Sequence, residues 1–253
     1  MQLAELTRYL DEYLKHGAYS DSSLNGLQVE GRAEINTVAL AVDASLVAIE
    51  AAIAGNADVL LTHHGLFWGR AEPLVGWLGR RIRRLMLAHV SLYTSHLPLD
   101  AHPEVGNNAQ LARVLGWEII APFGEYKGKT IGVVATPPQP LGLAECTAHL
   151  ARSLAIPLAD VRVWGTSQRP IQRIGIISGG AADTISQAIA ADCDAFLTGE
   201  PNYGAIFPAI EEGVPLICAG HYNTETLGVQ ALGAHLSDRF GLQTFFVAAP
   251  TGI

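Results

Sequence analysis

The sequence predicts an α/β protein of two α/β lobes, made by internal duplication of βαβ units, with a metal site between them. Three observations carry that expectation. Strand–helix–strand patterns occur twice, the two copies align at a constant offset of 136 residues, and both copies lead into histidine- and carboxylate-bearing strand ends. Strand, helix and strand at this spacing imply parallel pairing, because a parallel connection needs a crossover.

The elements follow in chain order. Leu3 to Leu14 has the amphipathic spacing of a helix, and Asp21 to Gly31 (DSSLNGLQVEG) reads as a turn-rich loop. Ile35 to Val42 is a buried strand. SLVAIEAAIAG is a helix stopped by Gly55, and ADVLLTHH is a second strand. A further apolar run, VSLYTSHLPLD, follows. Between the copies KTIGVVATP reads as a strand, LAECTAHLARSLA as a helix and DVRVWG as another strand. The second copy starts at Ile171. Ile35 matches Ile171, Val38 matches Ile174, Leu40 matches Ile176, Asp58 matches Asp194, and Leu61-Thr62 matches Leu197-Thr198. Any two βαβ units share an apolar pattern, but the paired Asp-x-x-Leu-Thr ends favour a true duplication. The expected lobes are residues 1–125 and 126–253, with the C-terminal segment able to pack back on the first lobe.

Chemistry concentrates at the predicted strand ends, where ligands of open parallel sheets collect. His63-His64 closes one strand. By itself such a pair is as readily a polar exit from a strand as a ligand pair. Each later apolar run, however, ends in a histidine followed four residues on by a carboxylate: His96 and Asp100, then His221 and Glu225. Nitrogen and oxygen donors in this mixture suit zinc, manganese, iron, cobalt or nickel better than calcium or magnesium. His63, His64, Asp100, His221 and Glu225 are too many donors for one open catalytic zinc and suit two ions. His96 reads as a ligand or, preferably, as a group orienting water or carboxylate, and Glu200 as a proton-transfer carboxylate or a mere helix-starting residue.

Other features carry less. Ser178 to Asp183 (SGGAAD) could present backbone N–H groups to a phosphate, or be a plain βα turn. Gly124 to Thr130 is one residue short of a phosphate-binding loop and precedes a strand, so it reads as a turn. His16, His89, His102, His149 and His235 lack acidic partners in repeated spacing and read as structural or exposed. With 24 acidic against 16 basic residues the net charge is -8, which argues against nucleic acid as a partner. The basic cluster Arg80, Arg81, Arg83 and Arg84 reads as a solvated or subunit-contacting helix face, with attraction of an anionic substrate as the alternative. Cys146, Cys193 and Cys218 have no paired spacing, no signal peptide or membrane span is recognisable, and a cytoplasmic location is expected.

Asn25-Gly-Leu-Gln-Val29, Thr62-His-His-Gly65, His96-Leu-Pro-Leu-Asp100 with Gly106-Asn107-Asn108, Ser178-Gly-Gly180, Thr198-Gly-Glu200, and Gly220-His221 with Glu225 stand in unbroken order. Together, from about Asp21 to Val229, they resemble the GTP cyclohydrolase I type 2 homologue family, also called NIF-three-like. The resemblance implies a dinuclear metal site on His63, His64, Asp100, His221 and Glu225. It also implies a ring-shaped homohexamer, a trimer of dimers. Longer relatives carry an inserted middle domain, and this chain has only a short connection. The implied activity is hydrolysis of a C–N bond in the guanine ring of GTP. Hydrolysis of another small phosphorylated or amide substrate, and a non-catalytic storage, delivery or regulatory role, stand beside it.

Overall fold

The computed structural model describes residues 1–167 and 169–253. The chain forms two compact units, Met1–Leu99 with Gly228–Ala249, and Asp100–Leu227 with Pro250–Ile253.

The first unit is built on a sheet ordered β1-β4-β3-β2-β11. Its strands are β1 (Gly26–Val29), β2 (Thr37–Asp43), β3 (Val59–His64), β4 (Ser91–Thr94) and β11 (Gln243–Phe246). β2, β3, β4 and β11 run parallel, and β1 lies antiparallel on β4. The apolar run of β2 and β3 follows from burial on both faces. Helix α1 (Leu3–Tyr13) buries Leu3, Leu6 and Leu10, the stripe expected from its spacing. Helix α2 (Leu46–Ala54) is started by Ser45, whose hydroxyl accepts the Ala48 N–H at 3.1 Å, and ends at Gly55. Helix α3 (Gly76–Ala88) buries Leu78, Ile82 and Leu85 and turns its arginines outward. Arg84 forks onto Glu50 at 2.6 Å, and Arg81 lies over the Trp77 ring. A short helix, α4 (Leu97–Asp100), follows β4.

The second unit holds a sheet ordered β5-β6-β8-β9-β10-β7. Its strands are β5 (Glu118–Tyr126), β6 (Lys129–Thr136), β7 (Arg162–Trp164), β8 (Ile174–Ile176), β9 (Ala195–Thr198) and β10 (Leu216–Cys218). Helices α5 (Asn107–Val114), α6 (Leu143–Ser153), α7 (Ile185–Ala190) and α8 (Tyr203–Glu211) cover it. Helix α9 (His221–Phe240) starts in this unit, and from Gly228 onward it belongs to the first.

Two sequence expectations differ from the structure. The segment Asp21 to Gly31 contains strand β1; it lies at a sheet edge, where Leu27 is exposed, so no apolar alternation marks it. The units divide between Leu99 and Asp100, upstream of the expected break after residue 125. The reason is packing: Leu111, Leu115 and Trp117 share one core with Ala135, Ile174 and Leu197. The C-terminal residues 243–246 form β11 beside β2 in the first unit.

The duplication is visible at the level of single hydrogen bonds. Asp58 Oδ2 accepts the N–H groups of Asn36 and Thr37, and Asp194 Oδ2 those of Gln172 and Arg173, each pair 136 residues apart. Asn56 and Asp192 both turn the chain with positive φ, at 55° and 52°. β1 pairs Gly26 with Thr94, and β7 pairs Arg162 with Cys218. The repeated frame is therefore β2, β3, β4 and edge strand β1 against β8, β9, β10 and edge strand β7.

Asp58 is the local pin of the first repeat. Burial opposes its charge, but the Asn36 and Thr37 N–H groups and Arg32 outweigh that and hold its carboxyl below the ordinary 3.8. A depressed carboxyl contributes stability above its unfolded value and loses it as pH falls. Asp58→Ala is expected to lower stability by about 1–2 kcal/mol at neutral pH, seen as a lower Tm. Asp58→Asn should lose less stability than the parent protein on acidification below about pH 4; equal acid limbs in denaturant titrations would exclude this assignment.

Candidate metal centre

The carboxyl ends of β3 and β4 bring three imidazoles together. One ligand atom from each of His63, His64 and His96 lies within 4.8 Å of the others. His63 is buried, and its Nδ1 donates to the Ser95 carbonyl at 2.9 Å. His64 Nδ1 donates to Asp43 Oδ1 at 2.9 Å, and His96 Nδ1 to Asp21 at 3.0 Å. A neutral imidazole with its proton fixed on Nδ1 presents the Nε2 lone pair. All three rings are thus set as Nε2 donors. Trp68 closes one side, its ring edge-on to His96 at 5.1 Å between centroids.

The supports come from residues the spacing did not single out. Asp21 accepts the N–H of Leu97 and an amide hydrogen of Asn25, whose Oδ1 in turn accepts the His96 N–H at 2.7 Å. Burial opposes charge on Asp21, but His96, Asn25 and the Ser23 N–H outweigh it and hold the carboxyl well below the usual range. Gln28 Oε1 accepts the Leu66 N–H, and its amide lies where a Cβ on residue 65 would sit, a place Gly65 leaves open. His16 joins them as well: its Nε2 meets Ser95 Oγ at 3.0 Å, and its Nδ1 meets Asp11 at 3.1 Å. Asp21, Asn25 and Gln28 did have a signal, in the loop that held motif residues without evident structure.

The second unit holds the other predicted donors. Asp100 is buried at the end of α4, and its Oδ1 accepts from Asn107 at 2.9 Å and from Ser178 at 3.0 Å. His221 opens α9 and Glu225 lies one turn on, with His221 Nε2 and Glu225 Oε2 3.2 Å apart. Glu200 Oε1 stands 3.3 Å from His221 Nδ1. Burial opposes charge on His221, but Glu225 and Glu200 outweigh it and lift the pKa to about 9. The side chains leave no room for a neighbour with a Cβ. Gly179, with φ of 67°, faces Glu225 Oε1, and Gly199 faces the His221 backbone.

Among the weaker sequence features, the SGGAAD segment is a turn packed on α9: the Gly179 N–H donates to Thr224 Oγ1 at 3.0 Å, and the Ala181 N–H to Thr198 Oγ1 at 3.2 Å. The Gly179 and Ala181 donors are thus engaged within the protein. Gly124 to Thr130 spans the β5–β6 hairpin, as a turn should. His102, His149 and His235 serve local packing. His102 Nδ1 accepts the Glu104 and Val105 N–H groups, His149 Nε2 donates to the Leu115 carbonyl, and His235 stacks on Tyr13. His89 ends α3 in the left-handed region, with φ of 55°.

The residues fit a divalent transition metal. Three oriented imidazoles suit such an ion better than calcium or magnesium. In the second unit, two carboxylates hold a proton on His221 that a cation would replace. Outer hydrogen bonds of this kind tune affinity by about 10–100-fold in metal sites. Asp43→Ala is accordingly expected to weaken cobalt(II) or zinc(II) uptake by about that factor, with circular dichroism unchanged. Unaltered affinity by competitive chelator titration would show that His64 is not a ligand.

Comparison with known proteins agrees with this fold. The chain is 45% identical over 249 residues to a Deinococcus radiodurans protein named GTP cyclohydrolase 1 type 2 homolog, covering 98% of this chain and 94% of that one. It is 44% identical to a Pyrococcus horikoshii protein of the same name, over the whole of both chains. The crystal structure of a protein from Thermus thermophilus matches all of both chains with a TM-score of 0.91 at 39% identity. A structure titled as the protein ybgI, of unknown function, matches with a TM-score of 0.93 at 32% identity, again over all of both chains. Residues 1–251 match the family described as Duf34/NIF3 (NGG1p interacting factor 3), and the chain belongs to that family.

Proposed function

We propose that this protein holds two divalent metal ions on His63, His64, Asp100, His221 and Glu225, and uses them to hydrolyse a C–N bond in a small-molecule substrate, a nucleotide of the GTP class. The observation that carries the reading is the set of three imidazoles whose Nδ1 atoms are all engaged, leaving Nε2 as the donor of each. The names of the relatives support the reaction class. Zinc, manganese, iron, cobalt and nickel all suit the donors. When bound, paired ions supply an acidified water and a Lewis acid for the developing oxyanion.

The chain's own groups have separate tasks. Asp100, fixed by Asn107 and Ser178, keeps its orientation without a metal. Glu200 reaches His221 Nδ1 and can take a proton from water and return it to a leaving nitrogen. His96, held by Asp21, presents Nε2 beside the His63 and His64 rings, where it orients water or relays a proton. We further propose a homohexamer in the cytoplasm. Exposed Trp77, Met86 and Leu87 on α3, and Phe207 and Ile210 on α8, support assembly. Buried, unbridged Cys146, Cys193 and Cys218 support a reducing compartment. Among the described residues no helix is long and apolar enough to cross a membrane.

Native mass spectrometry of metal-replete protein is expected to show a hexamer with two ions per chain, and Glu225→Ala to show no more than one. One ion per parent chain, or an undiminished count in Glu225→Ala, would sink the dinuclear assignment. Glu200→Gln is expected to keep both ions and reduce kcat for formate release from GTP by about 10²–10⁴-fold. Two bound ions without turnover of GTP or other hydrolase substrates by the parent protein would instead establish storage or delivery of metal.

A further inference from the structure

We infer that the second repeat carries a ligand pocket where the first repeat carries its imidazoles, and that it takes a compact molecule with an amidine-type N–C–N edge of N–H donors. The inference stands on the second unit alone and does not rest on the two-ion reading.

The register of the repeats defines the place. Thr62 pairs with Thr94, and Thr198 with Cys218, so the next two residues correspond: Ser95 to Ala219 and His96 to Gly220. The Ser95 N–H bonds the Thr62 carbonyl at 3.0 Å, and the Ala219 N–H the Thr198 carbonyl at 3.0 Å, which confirms the match. At the offset of 136, His63 corresponds to Gly199 and His64 to Glu200. Five residues before the paired Gly26 and Arg162 stand Asp21 and Pro157. The second repeat has therefore replaced two imidazoles by glycine, one by glutamate, and the supporting aspartate by proline.

A cavity of about 410 Å³ lies at these residues, lined among others by Pro157, Gly199, Glu200 and Gly220. Its volume falls in the range of small-molecule sites, and it opens at the carboxyl ends of parallel strands, where ligands of such sheets bind. Those four wall residues are the counterparts of Asp21, His63, His64 and His96, and the two imidazoles lost to Gly199 and Gly220 coincide with the cavity.

The polar groups define the occupant. Glu200 offers only acceptors. Asn223 donates one amide hydrogen to the Ala219 carbonyl at 3.0 Å, which fixes its amide and leaves it both an acceptor and a second donor. Asp160 adds a second carboxylate, against the single cation Arg162 among the lining residues. An acceptor-rich wall selects a donor-rich ligand and disfavours a carboxylate or phosphate. A carboxylate meets an N–C–N fork through two parallel hydrogen bonds, as with arginine. Cys218 also lines the cavity, but burial pushes its thiol up to about 12, so the pocket binds without a nucleophile.

Benzamidinium is the probe and benzoate its control. Saturation-transfer NMR of the full chain is expected to show benzamidinium binding, with amide shifts at Gly199 and Gly220, and none with benzoate. Glu200→Gln should weaken binding by at least about tenfold, since one charged fork is lost. His64→Ala, which strips metal under the two-ion reading, should leave it unchanged. The inference is overturned if benzamidinium does not bind, if benzoate binds as well, if Glu200→Gln keeps the parent affinity, or if His64→Ala abolishes binding.

Discussion

A neutral imidazole can offer a lone pair from only one nitrogen, and a firm acceptor at the other nitrogen decides which. That constraint organises the first unit. His63 needs the Ser95 carbonyl, His64 needs Asp43, and His96 needs Asp21. Each acceptor has its own reason to be there. Ser95 follows β4, with its N–H on the Thr62 carbonyl, Asp43 ends β2 directly beside His64, and Asp21 is tied to Asn25 and the Leu97 N–H. The parallel sheet thus brings most of these groups together by strand order, since β2, β3 and β4 are neighbours, and the loop before β1 adds Asp21.

Duplication gave the second sheet the same strand ends with different side chains. In register, His96 corresponds to Gly220 and Asp100 to Thr224, so His221 and Glu225 stand one residue beyond the positions their spacing suggested. The two His-x3-carboxylate pairs are therefore not descendants of one ancestral pair. His221 is the first residue of α9, as Leu97 is of α4. A histidine at that position projects from a helix start with Glu225 one turn later, and the glycines at 179 and 199 keep the space around them clear.

Much of this was legible in the sequence. The βαβ periodicity placed β2, α2 and β3, and the repeated Asp-x-x-Leu-Thr ends marked a duplication that recurs in the hydrogen bonds of Asp58 and Asp194. The imidazoles at strand ends were legible because a histidine closing an apolar run is costly unless it has work to do. Their supports were not, because a hydrogen bond between Asp21 and His96, 75 residues apart, leaves no periodic trace. Strand β1 was hidden for a related reason: an edge strand with one exposed face, opening on Gly26 at φ of 102°, looks like a loop. The division of the units was misplaced because α5 and β5 precede the second repeat in sequence yet share its core.

The acid–base character of His221 constrains any chemistry in the second unit. In the first, Asp43 and Asp21 accept the Nδ1 protons of His64 and His96. In the second, Glu200 and Glu225 flank both nitrogens of His221 and favour the imidazolium. A cation arriving at His221 meets a site whose negative charge is balanced by a proton, and must displace it. Metal uptake at His221 would therefore be coupled to proton release.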